Sequence, residues 1–225
     1  MRALLCLAMI VAFSGGAQAQ QASALINGAA LAGPPPAADS AEAAADRLAM
    51  RPTPSAERMA QAVADLAFDP WRAFAPVMGE TFTQARLPAT ARVLSATTAA
   101  LSGPINSAKA EYDRPRPYAA NRAVLQCDEL PANASNGGSY PTGHGAGGWA
   151  WALVLAELTP SRADAILQRG RDFGESRVIC GYHFPSDIDA ARLIAAGVVA
   201  RLHADPAFRR DLEAARRELA RALAD

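Results

Sequence analysis

Apolar residues recur three and four apart near the end of the chain, at Ile188, Ala191, Ala195, Val198 and Leu202 and again at Phe208, Leu212, Ala215, Leu219 and Leu223. That period marks one face of an α-helix, so both segments are expected to be amphipathic helices laid on a core. Residues 145–158, with Trp149, Trp151, Leu153, Val154, Leu155 and Leu158, are apolar on most sides and predict a buried central helix. From Asp39 onward Ala, Leu, Arg and Glu dominate, and breaks are expected at Pro52 and Pro54, Asp69-Pro70, Leu87-Pro88, Gly103-Pro104 and Thr159-Pro160. No segment alternates as a strand does, and no internal repeat stands out. The pattern predicts an all-α, single-domain helical bundle over residues 39–225.

The ends read differently. Met1-Arg2, an apolar run from Ala3 to Phe13 and a small-x-small pattern ending at Ala19 predict a secretory signal peptide over residues 1–19, cleaved after Ala19. The apolar run, about 11 residues, is short of the roughly 20 needed to span a bilayer, so no membrane insertion is expected. Residues 20–38 are small and polar with a Pro34-Pro35-Pro36 run, which predicts an extended N-terminal arm.

Charge and cysteines narrow the picture further. The formal net charge is +0, so no global basic field recruits nucleic acid or anionic lipid, and any anion site must be local. Cys6 leaves with the signal peptide, and Cys127 and Cys180 travel into an oxidising space, where they are expected to pair. On the chain-entropy model such a bridge stabilises the fold by roughly 4 kcal/mol before strain is subtracted.

Three groups of residues carry candidate chemistry. Lys and Arg total 22, yet Lys109 is the single lysine, and Arg114-Pro115-Arg116-Pro117 follows it. A compact ammonium and a planar guanidinium grip a tetrahedral anion differently, and the prolines are expected to stop the helix carrying Lys109, so Lys109 and Arg116 can converge on one anion. In the second group, Gly137 to Gly145, a glycine-rich loop runs through Thr142, Gly143 and His144 into the apolar helix. Free N–H groups at such a helix start suit a phosphate oxygen, and the Thr142 hydroxyl is a further donor. The third group runs from Ser176-Arg177 to His183 and Asp187. A carboxylate four residues past a histidine can fix its tautomer and leave the other ring nitrogen as a nucleophile. Pro185 belongs in a first helical turn, which puts His183 at a helix entrance. The third histidine, His203, is expected to play no chemical part.

Together these groups resemble the signature of the type-2 phosphatidic acid phosphatase superfamily: Lys, six residues, Arg-Pro; then Pro-Ser-Gly-His; then Ser-Arg, five residues, His, three residues, Asp. Lys109 to Arg116-Pro117, Pro141-Thr142-Gly143-His144 and Ser176-Arg177 through His183 to Asp187 match every spacing, with Thr142 in place of Ser. Within it the chain is most similar to the secreted bacterial class A nonspecific acid phosphatases, through Gly138-Ser139-Tyr140-Pro141, the helix from Trp149 to Glu157, and Arg177 to His183. It departs from them at Gly145, where Thr is usual, and at Phe184-Pro185, in place of a Trp-Gln-like pair. The resemblance implies that Lys109, Arg116, Thr142, Gly143 and Arg177 bind phosphate, that His144 is the acid, His183 the nucleophile and Asp187 its orienting partner.

The implied function is broad hydrolysis of small-molecule phosphate monoesters through a phosphohistidine, in the periplasm and at mildly acidic pH. No metal or other cofactor is expected, because two histidines without a carboxylate or thiolate cluster make a poor metal site. The resemblance also suggests a homodimer formed through the arm and the helices of residues 39–67. The rivals are a vanadate-dependent haloperoxidase-like enzyme and a non-catalytic periplasmic phosphate-binding protein.

Overall fold

The computed structural model describes residues 26–50, 53–124, 127 and 138–223. The expected signal peptide, its cleavage point, Pro52 and most of the loop before Gly138 lie outside the described residues. Among those described there is no strand, and the helices run α1 Gly28–Ala32, α2 Ala41–Ala49, α3 Ala56–Ala64, α4 Pro70–Met78, α5 Pro88–Tyr112, α6 Pro117–Ala120, α7 Gly143–Leu158, α8 Ala163–Ile179, α9 Pro185–Leu202 and α10 Pro206–Ala222. The fold is all-α. Three-residue 3₁₀ turns at Arg122–Val124 and Pro160–Arg162 join neighbours.

The central helix is α7. It packs against α8, α9 and α5, which bury Ala146, Ala150, Trp151, Val154, Leu155 and Leu158. Its approach to α8 is close: a β-carbon at Gly170 would lie 2.4 Å from that of Ala152, so only glycine lets the two backbones meet there. Trp151, nearly fully buried, still satisfies its indole N–H, which donates to Thr98 Oγ1 at 2.8 Å. Helices α9 and α10 follow the periodicity of the sequence, burying Ile188, Ala191, Ala195, Val198 and Leu202, then Phe208, Leu212, Ala215 and Leu219.

Sequence reasoning placed a break at Gly103-Pro104, and the structure corrects this: α5 runs unbroken for 25 residues with Pro104 inside it. An internal proline forfeits a helical hydrogen bond at a cost of roughly 3 kcal/mol. Here α5 buries Val93, Leu94, Leu101, Ile105 and Ala108 on both sides of the proline, and tertiary packing of that extent outweighs the local penalty. Pro104 also receives α1, because a β-carbon at Gly28 would fall 2.1 Å from its carbonyl oxygen. The N-terminal arm is therefore not extended throughout as expected: residues 28–32 form α1, which is seated on the bundle. Tyr140 Oη donates to the carbonyls of Ala32 and Gly33, each at 3.1 Å, and Tyr112 Oη to that of Ala29 at 2.9 Å.

Cys127 and Cys180 form a disulfide, beside Ala62, Tyr118 and Tyr182 in a second small core. No helix among the described residues is long and apolar enough to cross a membrane.

Candidate active site

Several helix ends converge where α5, α7 and α9 meet. Helix α5 stops at Asp113, which takes a left-handed conformation (φ 35°) and donates its N–H to the Lys109 carbonyl. Lys109 thus sits in the last turn of α5, and the prolines that follow carry Arg116 to the cap of α6. Thr142 caps α7, its Oγ1 accepting from Gly145 N at 3.2 Å, so Gly143 and His144 occupy the first turn, where backbone N–H groups lack helical partners. Phe184 caps α9 with Pro185 as its first residue, which leaves His183 at the helix entrance. Arg177 comes from the last turn of α8.

Lys109, Arg116, Gly143, His144, Arg177 and His183 line one cavity of about 450 Å³, closed on its other walls by Phe68, Thr98, Leu101, Ser102, Ile105 and Asn106. Thr142 and Asp187, both fully buried, lie behind this wall. Thus six of the eight residues expected to bind or transform phosphate share the cavity, and the other two hold its frame. Among the described residues no group of three or more His, Cys, Asp or Glu side chains converges as a metal donor set.

The tautomer of His183 follows from its partners. Nδ1 lies 2.8 Å from the Ser139 carbonyl oxygen, which only accepts, and Nε2 lies 2.9 Å from Arg116 Nη1, which only donates. The proton is therefore on Nδ1, and Nε2 presents its lone pair toward the cations. Asp187 Oδ2 is more distant from Nδ1, at 3.4 Å. That oxygen accepts from Ser139 Oγ at 2.5 Å and from Phe184 N at 2.8 Å, while Oδ1 accepts from Arg114 Nη1 at 2.7 Å. Asp187 thus sets the ring largely through Ser139, and it supplies a buried negative charge beside it.

Behind Asp187 stands a layer the sequence reading missed. Arg114 Nη2 donates to Asp46 Oδ2 at 2.9 Å, and Ser186 donates both its N–H, at 3.0 Å, and its hydroxyl, at 2.5 Å, to the same carboxylate. Arg114 also lies over the Phe184 ring, 4.1 Å from its centroid. Arg114 lies within the stretch from Lys109 to Pro117, and Asp46 is on the buried side of α2 with Ala43; without the fold, both read as surface charges.

Burial governs the titration of the site. It pushes His183 down to about 3, with the charges of Arg116 and Lys109 adding to the effect against the opposing pull of Asp187. His144 is likewise lowered to about 3 by burial and then by Arg177, although the Leu66 carbonyl, 3.3 Å from Nε2, pulls the other way. Burial and then Arg116 lower Lys109 to about 8. Burial alone would raise Asp187, but His183, Arg114 and Ser139 together hold its carboxyl below the ordinary range. Lys109 Nζ donates to the Gly138 carbonyl, and the buried Arg177 Nε–H has no hydrogen-bond partner among the described residues. Crowded cations, an orphaned donor and two neutral histidines describe a cavity short of negative charge.

This concentration of donors at helix ends could hold a tetrahedral oxyanion. Residues 90–211, more than half of the chain, match the PAP2 superfamily, and the chain belongs to it. It is 51% identical over 116 residues to the non-specific acid phosphatase of Providencia stuartii, covering 51% of this chain and 46% of that protein. It is 40% identical over 149 residues to the acid phosphatase of Zymomonas mobilis subsp. mobilis, covering 66% and 56% of the two chains. It is also 40% identical over 151 residues to the non-specific acid phosphatase of Salmonella typhimurium, covering 66% and 60%. The chain spans about half the length of the curated relatives it matches.

Proposed function

We propose that the protein is a metal-independent acid phosphatase that hydrolyses small phosphate monoesters through a phosphohistidine on His183. The observation that carries the reading is the neutral His183, its Nδ1 proton pinned and its Nε2 lone pair turned into a cavity lined by Lys109, Arg116 and Arg177. The arriving phosphate takes over the Arg116 hydrogen bond, which frees Nε2. Lys109, Arg116, Arg177 and the N–H groups of the first turn of α7 neutralise the equatorial oxygens. Nε2 forms a bond to phosphorus as the bond to the ester oxygen breaks, and His144 gives its proton to that oxygen. Water then attacks phosphorus and passes a proton to His144, and the N–P bond breaks to release phosphate. Asp187 stabilises the cationic ring of the adduct.

The low proton affinity of His144 in the empty cavity fits this cycle, because the charge of the bound phosphate is what restores its proton. His183 remains neutral down to about pH 3, so the nucleophile survives in acid, which suits an acid phosphatase. On the alkaline side Lys109 loses its charge near pH 8. Expected kcat/KM therefore falls above about pH 8, and Lys109→Ala lowers it on the order of 100-fold at lower pH. Residues 1–19 direct export in this reading, and the Cys127–Cys180 disulfide suits a periplasmic setting. The homodimer remains part of the proposal, through the arm and the helices of residues 39–67.

Hydrolysis of p-nitrophenyl phosphate by metal-stripped protein with chelator present, followed across pH beside His183→Ala, tests the proposal. Turnover by the wild type and not by the variant is the expected result. Turnover that requires added metal, or an equally active variant, would contradict it. Vanadate-dependent bromination without phosphatase activity would point to a haloperoxidase instead, and phosphate affinity without turnover to a binding protein.

A further inference from the structure

The cavity that holds His144 and His183 adjoins a second one. Phe68 and Thr98 line both, and the second cavity, about 350 Å³, has Trp71 and Trp151 among its walls. Phe68 is 44% exposed, an unusual setting for so large a ring beside two cavities. Its centroid lies 4.8 Å from that of His144 and 4.6 Å from that of Trp151. Gly147 is what lets it lie there, since a β-carbon at that position would come within 2.4 Å of Phe68 Cε2. No charged side chain is among the described residues lining the second cavity, and its polar groups are Gln84, Ser95 and Thr98.

We propose that this second cavity is the leaving-group subsite of the phosphatase site and takes a neutral, planar aromatic ring, so that aryl phosphate monoesters are favoured over those of small aliphatic alcohols. The inference rests on the phosphatase reading above. Phosphate held by Lys109, Arg116 and Arg177 must turn its ester oxygen to His144 to receive a proton. Because Phe68 packs on the His144 ring, whatever is attached to that oxygen leaves the phosphate cavity along Phe68, toward Trp71. An aromatic ring can stack or meet these faces edge-on at the centroid separations such pairs prefer. A charged leaving group would shed its hydration there with no ionic partner.

The test is calorimetric titration with benzylphosphonate and methylphosphonate, which bear the same anion and cannot be hydrolysed at the C–P bond. Benzylphosphonate should bind about tenfold more tightly. That ratio should fall toward one in Phe68→Ala and, separately, in Trp71→Ala, whose side chain lines the second cavity and not the first. Equal affinities in the wild type, or a ratio that neither substitution moves, overturns the subsite, and if p-nitrophenyl phosphate is still hydrolysed the phosphatase reading stands without it. A preference for benzylphosphonate that both substitutions abolish, in a protein with no phosphatase activity, supports the aromatic subsite and overturns the phosphatase reading.

Discussion

Thr142 and Gly145 are coupled through one close contact at the start of α7. A β-carbon at position 145 would lie 2.5 Å from Thr142 Cγ2, so the methyl that Thr carries beyond Ser occupies the space a larger residue 145 would need. Turning Thr142 to relieve the clash would break its cap on Gly145 N. Gly145→Ala is expected to cost about 1–3 kcal/mol of stability, and Thr142→Ser in the same chain to recover most of it. Urea denaturation of the two single variants and the double variant checks this, and additive effects would contradict the pairing. Both residues stand in the motif read from the sequence, but their coupling depends on a helix starting at Gly143, which brings residues 142 and 145 onto one face. Asp46 is the opposite case: only the docking of α2 shows that its carboxylate reaches Arg114, 68 positions away.

At the level of elements, α5 shows how tertiary structure completes what local sequence leaves open. Its N-cap, Leu87, has no side-chain hydrogen bond, and Glu218 of α10 takes that part, accepting from Ala89 N at 2.9 Å and from Thr90 N and Thr90 Oγ1, each at 2.8 Å. A carboxylate at a helix N-terminus also meets the positive end of the helix dipole. Glu218→Ala is expected to lower stability by about 1–3 kcal/mol, read from the urea midpoint, and an unchanged midpoint would contradict the capping role. Periodicity made α9 and α10 legible because their apolar faces repeat over several turns, and α7 was legible because residues 145–158 are apolar on most sides. Sequence reasoning missed the continuity of α5 through Pro104, since a local rule about proline cannot weigh the burial on either side. The five-residue α1 has too few turns to show a period and forms against α5.

For the whole molecule, the site is assembled from segments around residues 109–116, 142–144 and 177–187, which only the fold brings to one cavity. Motif spacing located these segments, whereas the role of the Ser139 carbonyl in pinning His183 shows only in the fold, and the aromatic wall at Phe68 carries no motif. The burial that creates the site also sets a global property. His144 and His183 protonate near pH 6.5 in an unfolded chain and only near 3 when folded, so between those values the unfolded chain binds more protons. Stability of the ligand-free protein should therefore fall as pH drops from about 6.5 toward 3, by roughly 1 kcal/mol per unit for each histidine. Urea unfolding at several pH values checks the slope, and stability that stays level or rises in acid would contradict it. The central claim, that His183 carries the phosphoryl group, is tested most directly by quenching the protein during turnover of p-nitrophenyl phosphate, digesting it under alkaline conditions and locating the phosphoryl group by mass spectrometry. A phosphoryl group on His183, formed as fast as turnover requires and absent from His183→Ala, is the expected result. Turnover with the phosphoryl group on another residue, or with no phosphorylated protein at any time, would contradict the account.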